Sequence, residues 1–173
     1  MLLRHPDAEI ACLVDVQDVG KPISALYPHL VGFCDMEIVA ADSAAAKERA
    51  DVVFFSTPDG VGMRLARAEL DRGAKVIDYS GDFRFNDAGQ YADYARRIGL
   101  DPEHKDAELL PETVYGIPEL HRAQLGRKTR LVGNCGCFAI SCLLGLAPAV
   151  KAKLVDLTSL ICDCKTGVSG AGK

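Results

Sequence analysis

Apolar positions along this chain come as short runs, each closed by turn-forming residues. Residues 9–14 form one run, ending at Asp15, and residues 36–39 form another. Residues 51–55 are β-branched and aromatic, and Ser56-Thr57-Pro58-Asp59-Gly60 ends them with turn chemistry. A helix is predicted over 61–70, with Arg72-Gly73 as its stop. Strands follow over 75–78 and 131–132, then a nearly continuous apolar helix over 139–150. Residues 157–165 read as a further strand, and 90–108 as a charged, patternless surface excursion. Strands alternating with helices predict an α/β fold with a mostly parallel sheet covered on both faces. In such sheets ligands bind beyond the carboxyl ends of the strands. Residues 56–60, 80–84 and 134–137 each follow a strand, so one cleft is expected between them.

Composition narrows the class of protein. The 173 residues suffice for one domain or one and a fraction. With 49% hydrophobic and 25% charged residues, the chain can build a core. A net charge of −4 without a Lys/Arg cluster argues against nucleic acid as a partner. The longest apolar stretch, 138–150, is too short to span a bilayer and is broken by Ser141, Gly145 and Pro148. No signal peptide is visible, and seven cysteines in apolar contexts point to free thiols in a reducing, cytoplasmic setting. Cys135-x-Cys137 and Cys162-x-Cys164 invite a metal reading, but zinc pairs usually enclose two to four residues. On a strand, Cys162 and Cys164 would share one face, so two core-facing thiols are expected there and no metal.

The densest chemistry lies in Gly133-Asn134-Cys135-Gly136-Cys137-Phe138, where a strand passes through a Gly-bearing turn into the apolar helix. A cysteine on the first helical turn meets unpaired backbone N–H groups and the positive end of the macrodipole. Both favour the thiolate, which is the nucleophilic form. The alternative is a buried structural cysteine, packed as a small hydrophobe.

Four segments in collinear order carry a family resemblance. They are Ser80-Gly81-Asp82-Phe83-Arg84, Tyr115-Gly116-Ile117-Pro118-Glu119-Leu120, Asn134-Cys135-Gly136-Cys137-Phe138, and Lys165-Thr166-Gly167-Val168-Ser169-Gly170-Ala171-Gly172. With Gly20-Lys21-Pro22 and Pro28-His29-Leu30 in place as well, the chain resembles the N-acetyl-gamma-glutamyl-phosphate reductase family, within the aspartate-semialdehyde dehydrogenase-like group. The resemblance implies a Rossmann-like NAD(P)-binding domain over 1–133, and the start of an α+β catalytic and dimerisation domain over 134–173. Family members open with a Gly-rich phosphate loop, then a helix ending much like Leu2-Leu3-Arg4-His5-Pro6. No such loop precedes the first strand here, so the chain is expected to be a fragment or a minimal relative, weak or inactive alone. The family's acid/base histidine is expected beyond Lys173. His121 is expected at the surface or behind the site.

The implied chemistry is reductive dephosphorylation of N-acetyl-glutamyl phosphate, a step of arginine biosynthesis, through a cysteine thioester. Cys137 aligns with the nucleophile, although Cys135 stands where the family has proline and leaves a second candidate thiol. Arg84 is expected to hold a substrate anion, or else to pair with Asp82. Tyr115, Glu119, Asn134, Lys165 and Ser169 are implied on the substrate side, and Ser56, Thr57, Pro58 and Gly60 on the cofactor side. Asp15 ends a strand where the family often has Ser and Arg for a 2′-phosphate. An acidic residue there suits a ribose 2′-OH, so NAD competes with NADP unless Asp15 is merely solvated. A homo-oligomer is expected when the protein is complete. Reductases of aminoadipyl or aspartyl phosphate, and a non-catalytic remnant, are the alternative readings.

Overall fold

The computed structural model describes residues 2–170, apart from the side chain of Ser169. The end of the 165–172 segment therefore lies outside the described residues. The chain divides into two compact units, Met1–Ala50 and Asp51–Lys173.

In the first unit, β1 (Leu13–Val14) pairs in parallel with β2 (Ile38–Val39), with Leu13 opposite Ile38. The apolar run at 9–14 is thus a strand only in its last two residues, where β2 supplies ladder partners. Two single-turn helices, α1 (Ile23–Leu26) and α2 (Ala44–Lys47), flank β2 in sequence. Ser43 caps α2, its hydroxyl accepting the Ala46 N–H at 3.2 Å.

The second unit carries β3 (Val52–Phe55), α3 (Gly62–Asp71), β4 (Lys75–Asp78), α4 (Ala88–Arg97), β5 (Val114–Gly116), α5 (Pro118–His121), β6 (Leu131–Asn134) and α6 (Cys137–Lys151). Its four strands run parallel in the order β3-β4-β6-β5. This α/β architecture with parallel strands is the expected class, though divided between two sheets. On α3 the residues Met63, Ala66 and Leu70 are buried at helical spacing. Gly73 stops α3 in the left-handed region at φ 89°, while Ala74 N–H returns to Glu69 C=O at 3.1 Å. These α3 residues pack with Phe55, Val76, Phe83 and Leu131 into one core.

Two expectations fail. Residues 90–108 are not a surface excursion, because α4 starts at a genuine cap, with the Asp87 carboxylate accepting the Gln90 N–H at 3.0 Å. Tyr91 and Ala95 of α4, then His104, are fully or nearly buried. Only two of the ten α4 residues are buried, so the apolar stripe is too narrow to show against its charges. Residues 157–165 are not a strand. They hold a 3₁₀ turn, Leu157–Ser159, and then no regular structure, with Ile161 at 92% exposure. No strand among the described residues offers that segment a ladder, so Cys162 and Cys164 are exposed rather than core-facing. No helix among the described residues is long and apolar enough to cross a membrane.

Candidate active site

Because β3, β4, β6 and β5 are parallel, their carboxyl ends gather the loops at 56–60, 79–84, 135–136 and Ile117 on one edge of the unit. Arg84 ties two of these ends together. Its Nε donates to Asn134 C=O at 3.0 Å and its second terminal nitrogen to Tyr79 C=O at 2.8 Å. A Cβ on Gly133 would lie 1.7 Å from Phe83 C=O, so only glycine allows the 83–84 backbone to cross β6 this closely. The pairing of Arg84 with Asp82 does not form. Asp82 faces inward, fully buried, and its carboxylate accepts Gly60 N–H at 2.7 Å and Met63 N–H at 3.0 Å. That carboxylate sits at the amino end of α3, where the macrodipole favours negative charge.

The two candidate thiols meet opposite environments. Cys135 is buried, its thiol reaching Gly116 C=O at 3.6 Å, and burial pushes its pKa up. Cys137 is exposed as the first residue of α6. Gly136 precedes it in an extended conformation, and no side chain caps the helix start. The first-turn N–H groups of a helix have no intrahelical acceptors, so a bound oxyanion can take them. The guanidinium of Arg84 stands beside this turn, 3.5 Å from where a Gly136 Cβ would lie.

Tyr115, half-buried in the middle of β5, has its ring 6.1 Å from that of His121. Burial raises the Tyr115 pKa, and the nearby Cys135 adds to it. His121 keeps a buried Nδ1 without a hydrogen-bond partner, and Glu119 is exposed on α5. Arg84 and Glu119 both act electrostatically on Cys135, lowering and raising its pKa respectively. Arg84, Tyr115, Glu119, Asn134 and the Cys135–Cys137 turn therefore belong to one neighbourhood.

Lys165 comes from the irregular segment after α6. Lys165 is ion-paired with Asp163 and lines an open groove with Phe138, Ser141, Cys142, Cys162 and Cys164. Within that groove the thiols of Cys142 and Cys164 lie 3.4 Å apart. The side chain of Ser169 is outside the described residues. Asp15 is exposed in the first unit, where one carboxylate oxygen takes the N–H groups of Val16 and Gln17 at 2.6 and 3.1 Å. Among the described residues no group of three or more His, Cys, Asp or Glu is placed to hold a metal ion.

On the loop after β3, Ser56 and Pro58 are exposed, and Thr57 Oγ1 is buried without a partner. Gly60 is left-handed at φ 87° and gives its N–H to Asp82. Sequence reasoning passed over several polar residues beneath this surface. Asp59 accepts Gly81 N–H with one oxygen and the Tyr94 hydroxyl with the other, the latter at 3.0 Å. Burial first, then Asp59, push Tyr94 up to about 12. Asp78 is fully buried, accepting the Ser80 hydroxyl at 2.6 Å while Oδ1 has no partner. Its pKa is pushed up to about 6, chiefly by burial. His104 stands edge-on to Phe83 and Tyr91. Its Nδ1 accepts Asp106 N–H, so Nε2 carries the proton and donates to Asp82 C=O at 3.1 Å. The available signal was an acidic residue beside glycine in two successive strand-end loops, at Asp59-Gly60 and Gly81-Asp82.

The chain is similar to known proteins over its whole length. Residues 1–128 match the model of the semialdehyde dehydrogenase NAD binding domain, and residues 137–173 that of the semialdehyde dehydrogenase dimerisation domain. A protein of Aromatoleum aromaticum named N-acetyl-gamma-glutamyl-phosphate reductase is 40% identical over all 173 residues. Proteins of the same name from Herminiimonas arsenicoxydans and Desulforudis audaxviator are 42% and 40% identical, again over the whole chain. In each case the match covers 48% of the relative, so the chain spans about half the length of the curated relatives it matches. By its match over residues 1–128, the chain belongs to the semialdehyde dehydrogenase family.

Proposed function

We propose that the intact protein carrying this sequence is a nicotinamide-dependent oxidoreductase that reduces N-acetyl-glutamyl 5-phosphate to the 5-semialdehyde. The observation that carries this reading is the exposed Cys137 on an uncapped helix start, with the Arg84 guanidinium alongside. The names of the relatives supply the substrate. Cys137 sulfur attacks the acyl carbon, the bond to the phosphate oxygen breaks, and phosphate leaves with the electron pair. A thioester is left on Cys137. First-turn amides of α6 stabilise the oxyanion that develops, and Arg84 holds an anionic group of the substrate. Tyr115, Glu119 and Asn134 form the wall on that side, and Lys165 and Ser169 serve phosphate.

A reduced nicotinamide, when bound, would supply a hydride to the thioester carbon, and Cys137 sulfur would then leave as the thiolate to free the aldehyde. The loop after β3 fits such a cofactor through the orphan hydroxyl of Thr57, the exposed Ser56 and Pro58, and the half-buried Gly60. Phosphates find no seat at the α3 start, since Asp82 already takes the Gly60 and Met63 amides. NADP is the cofactor, with NAD admitted by Asp15. We place the division between cofactor and catalytic domains at residues 133–134, supported by family matches on either side of it. The dimerisation-domain match supports a homo-oligomer.

The test needs no cofactor. Mixing the intact protein with N-acetyl-glutamyl phosphate should release one equivalent of phosphate and leave an N-acetyl-glutamyl adduct on Cys137, located by mass spectrometry. Cys137→Ser should do neither. An adduct elsewhere, or undiminished release in Cys137→Ser, would sink the reading.

A further inference from the structure

We propose that Asp59 and Asp82 form a reciprocal clasp between the loops after β3 and β4, and that this clasp positions Arg84 at the Cys137 turn. The inference rests on the role given to Arg84 above. Each loop supplies one carboxylate to the backbone of the other. Asp59 takes the Gly81 N–H, while Asp82 takes the Gly60 and Met63 N–H groups. Every donor is a main-chain amide, so each bond ties a carboxylate of one loop to the backbone of the other segment rather than joining two mobile side chains.

The clasp is braced by Tyr94 and His104 from outside both loops and by Ser80 from within one. Tyr94 on α4 holds the second oxygen of Asp59 at 3.0 Å. Asp82 N–H donates to the Ser80 hydroxyl at 3.2 Å, and Asp82 C=O accepts from His104. The packing leaves no slack. A Cβ at Gly81 would lie 2.3 Å from the Tyr94 ring, and one at Gly62 2.6 Å from Asp78 Oδ1. A fully buried carboxylate deprived of its donors is strongly disfavoured, so the loops resist separation.

From the clasp to Arg84 the path is short. Arg84 N–H closes a turn onto Gly81 C=O at 3.4 Å, which sets where its side chain begins. Its side chain then spans Tyr79 C=O and Asn134 C=O, and the latter residue leads into the Cys135–Cys137 turn. Asp59 and Asp82 touch none of the groups assigned to substrate. They are positioning residues that act through Arg84.

A double-mutant cycle separates this from simple structural support. The readout is the ratio of Cys137 alkylation rates with anionic iodoacetate and neutral iodoacetamide, measured on the intact protein. Both reagents attack the same sulfur, so the ratio reports the cationic field at the turn. In Asp59→Ala the ratio should fall about fivefold, as electrostatic steering by Arg84 is lost. In an Arg84→Ala background, Asp59→Ala should cause no further fall. Tyr94→Phe, which removes only a hydroxyl, should act in the same direction more weakly. Equal falls in both backgrounds, or an unchanged ratio in Asp59→Ala and Tyr94→Phe, would overturn the clasp. If the wild-type protein turns over the acyl phosphate, kcat/KM should show the same non-additivity. Absence of wild-type turnover strikes the proposed function alone, because the alkylation ratio requires no reaction.

Discussion

Cys135 and Cys137 are two residues apart, yet one thiol is packed against the Gly116 carbonyl and the other is open to solvent. Brief treatment of the intact protein with iodoacetamide at neutral pH should therefore label Cys137 first and leave Cys135 unmodified, as read by peptide mass spectrometry. Early labelling of Cys135 with Cys137 inert would contradict this. Two buried groups give stability opposite pH dependences. Asp78 has a folded pKa of about 6 against an ordinary 3.8, so the folded state holds that proton more tightly. Its favourable contribution is complete below the ordinary value and is lost as pH rises through about 6. Asp78→Asn, which still accepts from Ser80, should raise stability at pH 7 by up to about 3 kcal/mol in urea unfolding. Below pH 4 the gain should vanish. His104 is the reverse case, its pKa lowered from 6.5 chiefly by burial. The unfolded chain binds that proton first, so stability drains away as pH falls below 6.5, and replacing His104 should flatten this limb. Asp15 bears on cofactor choice. In the intact protein Asp15→Ser should shift relative affinity towards NADP by about tenfold, since a like charge facing a 2′-phosphate is removed. An unchanged ratio in cofactor titrations would mean that Asp15 serves only its own turn.

At the scale of elements, the close crossing of the 83–84 backbone over β6 makes the strongest demand on a single residue type. Gly133→Ala places a methyl 1.7 Å from a carbonyl oxygen inside the sheet. Its cost should exceed about 3 kcal/mol, enough to prevent folding or displace Arg84. Gly145 is the control. A Cβ there meets nothing within 4 Å, and the residue lies inside α6. Gly145→Ala should stabilise by about 0.5–1 kcal/mol through helix propensity. Thermal unfolding of the two variants side by side checks both signs. The helices themselves differ in how visibly they announce themselves. On α3, three buried apolar residues at helical spacing lie between a turn cluster and Arg72-Gly73, so its span is legible in the chain. The α4 helix buries only Tyr91 and Ala95 among charges, and its periodicity is lost to inspection.

At the scale of the whole molecule, α6 stands out because none of its fifteen residues is buried, although its composition is almost wholly apolar. Phe138, Leu143 and Val150 are among its exposed side chains. A helix that is apolar all round is normally enclosed by protein. Residues 1–173 produced by themselves should therefore self-associate, visible as a shift to higher mass in light scattering, and should show no turnover with an acyl phosphate and reduced cofactor. A monodisperse monomer with sustained activity would refute this.

The sequence by itself determined the parallel α/β class, the spans of β3, β4, α3 and α6, and the meeting of 80–84 with the cysteine turn. Each of these follows from local patterns, such as β-branched runs, turn clusters and the rule that parallel strands gather their carboxyl-end loops. Tertiary structure decided what depends on partners distant in the chain. Residues 157–165 have strand composition, but a strand exists only with a neighbour to share its ladder, and none is offered among the described residues. Asp82 has the reach to pair with Arg84, but the closure of two loops turns its carboxylate towards the amides of Gly60 and Met63. The same closure turns Asp59 from a generic turn residue into half of a clasp. Which of two neighbouring cysteines meets solvent was decided by the packing of Cys135 against Gly116, nineteen residues away. Local propensity carries no information about such distant contacts, because their energies arise only once the sheet has brought its strand ends together.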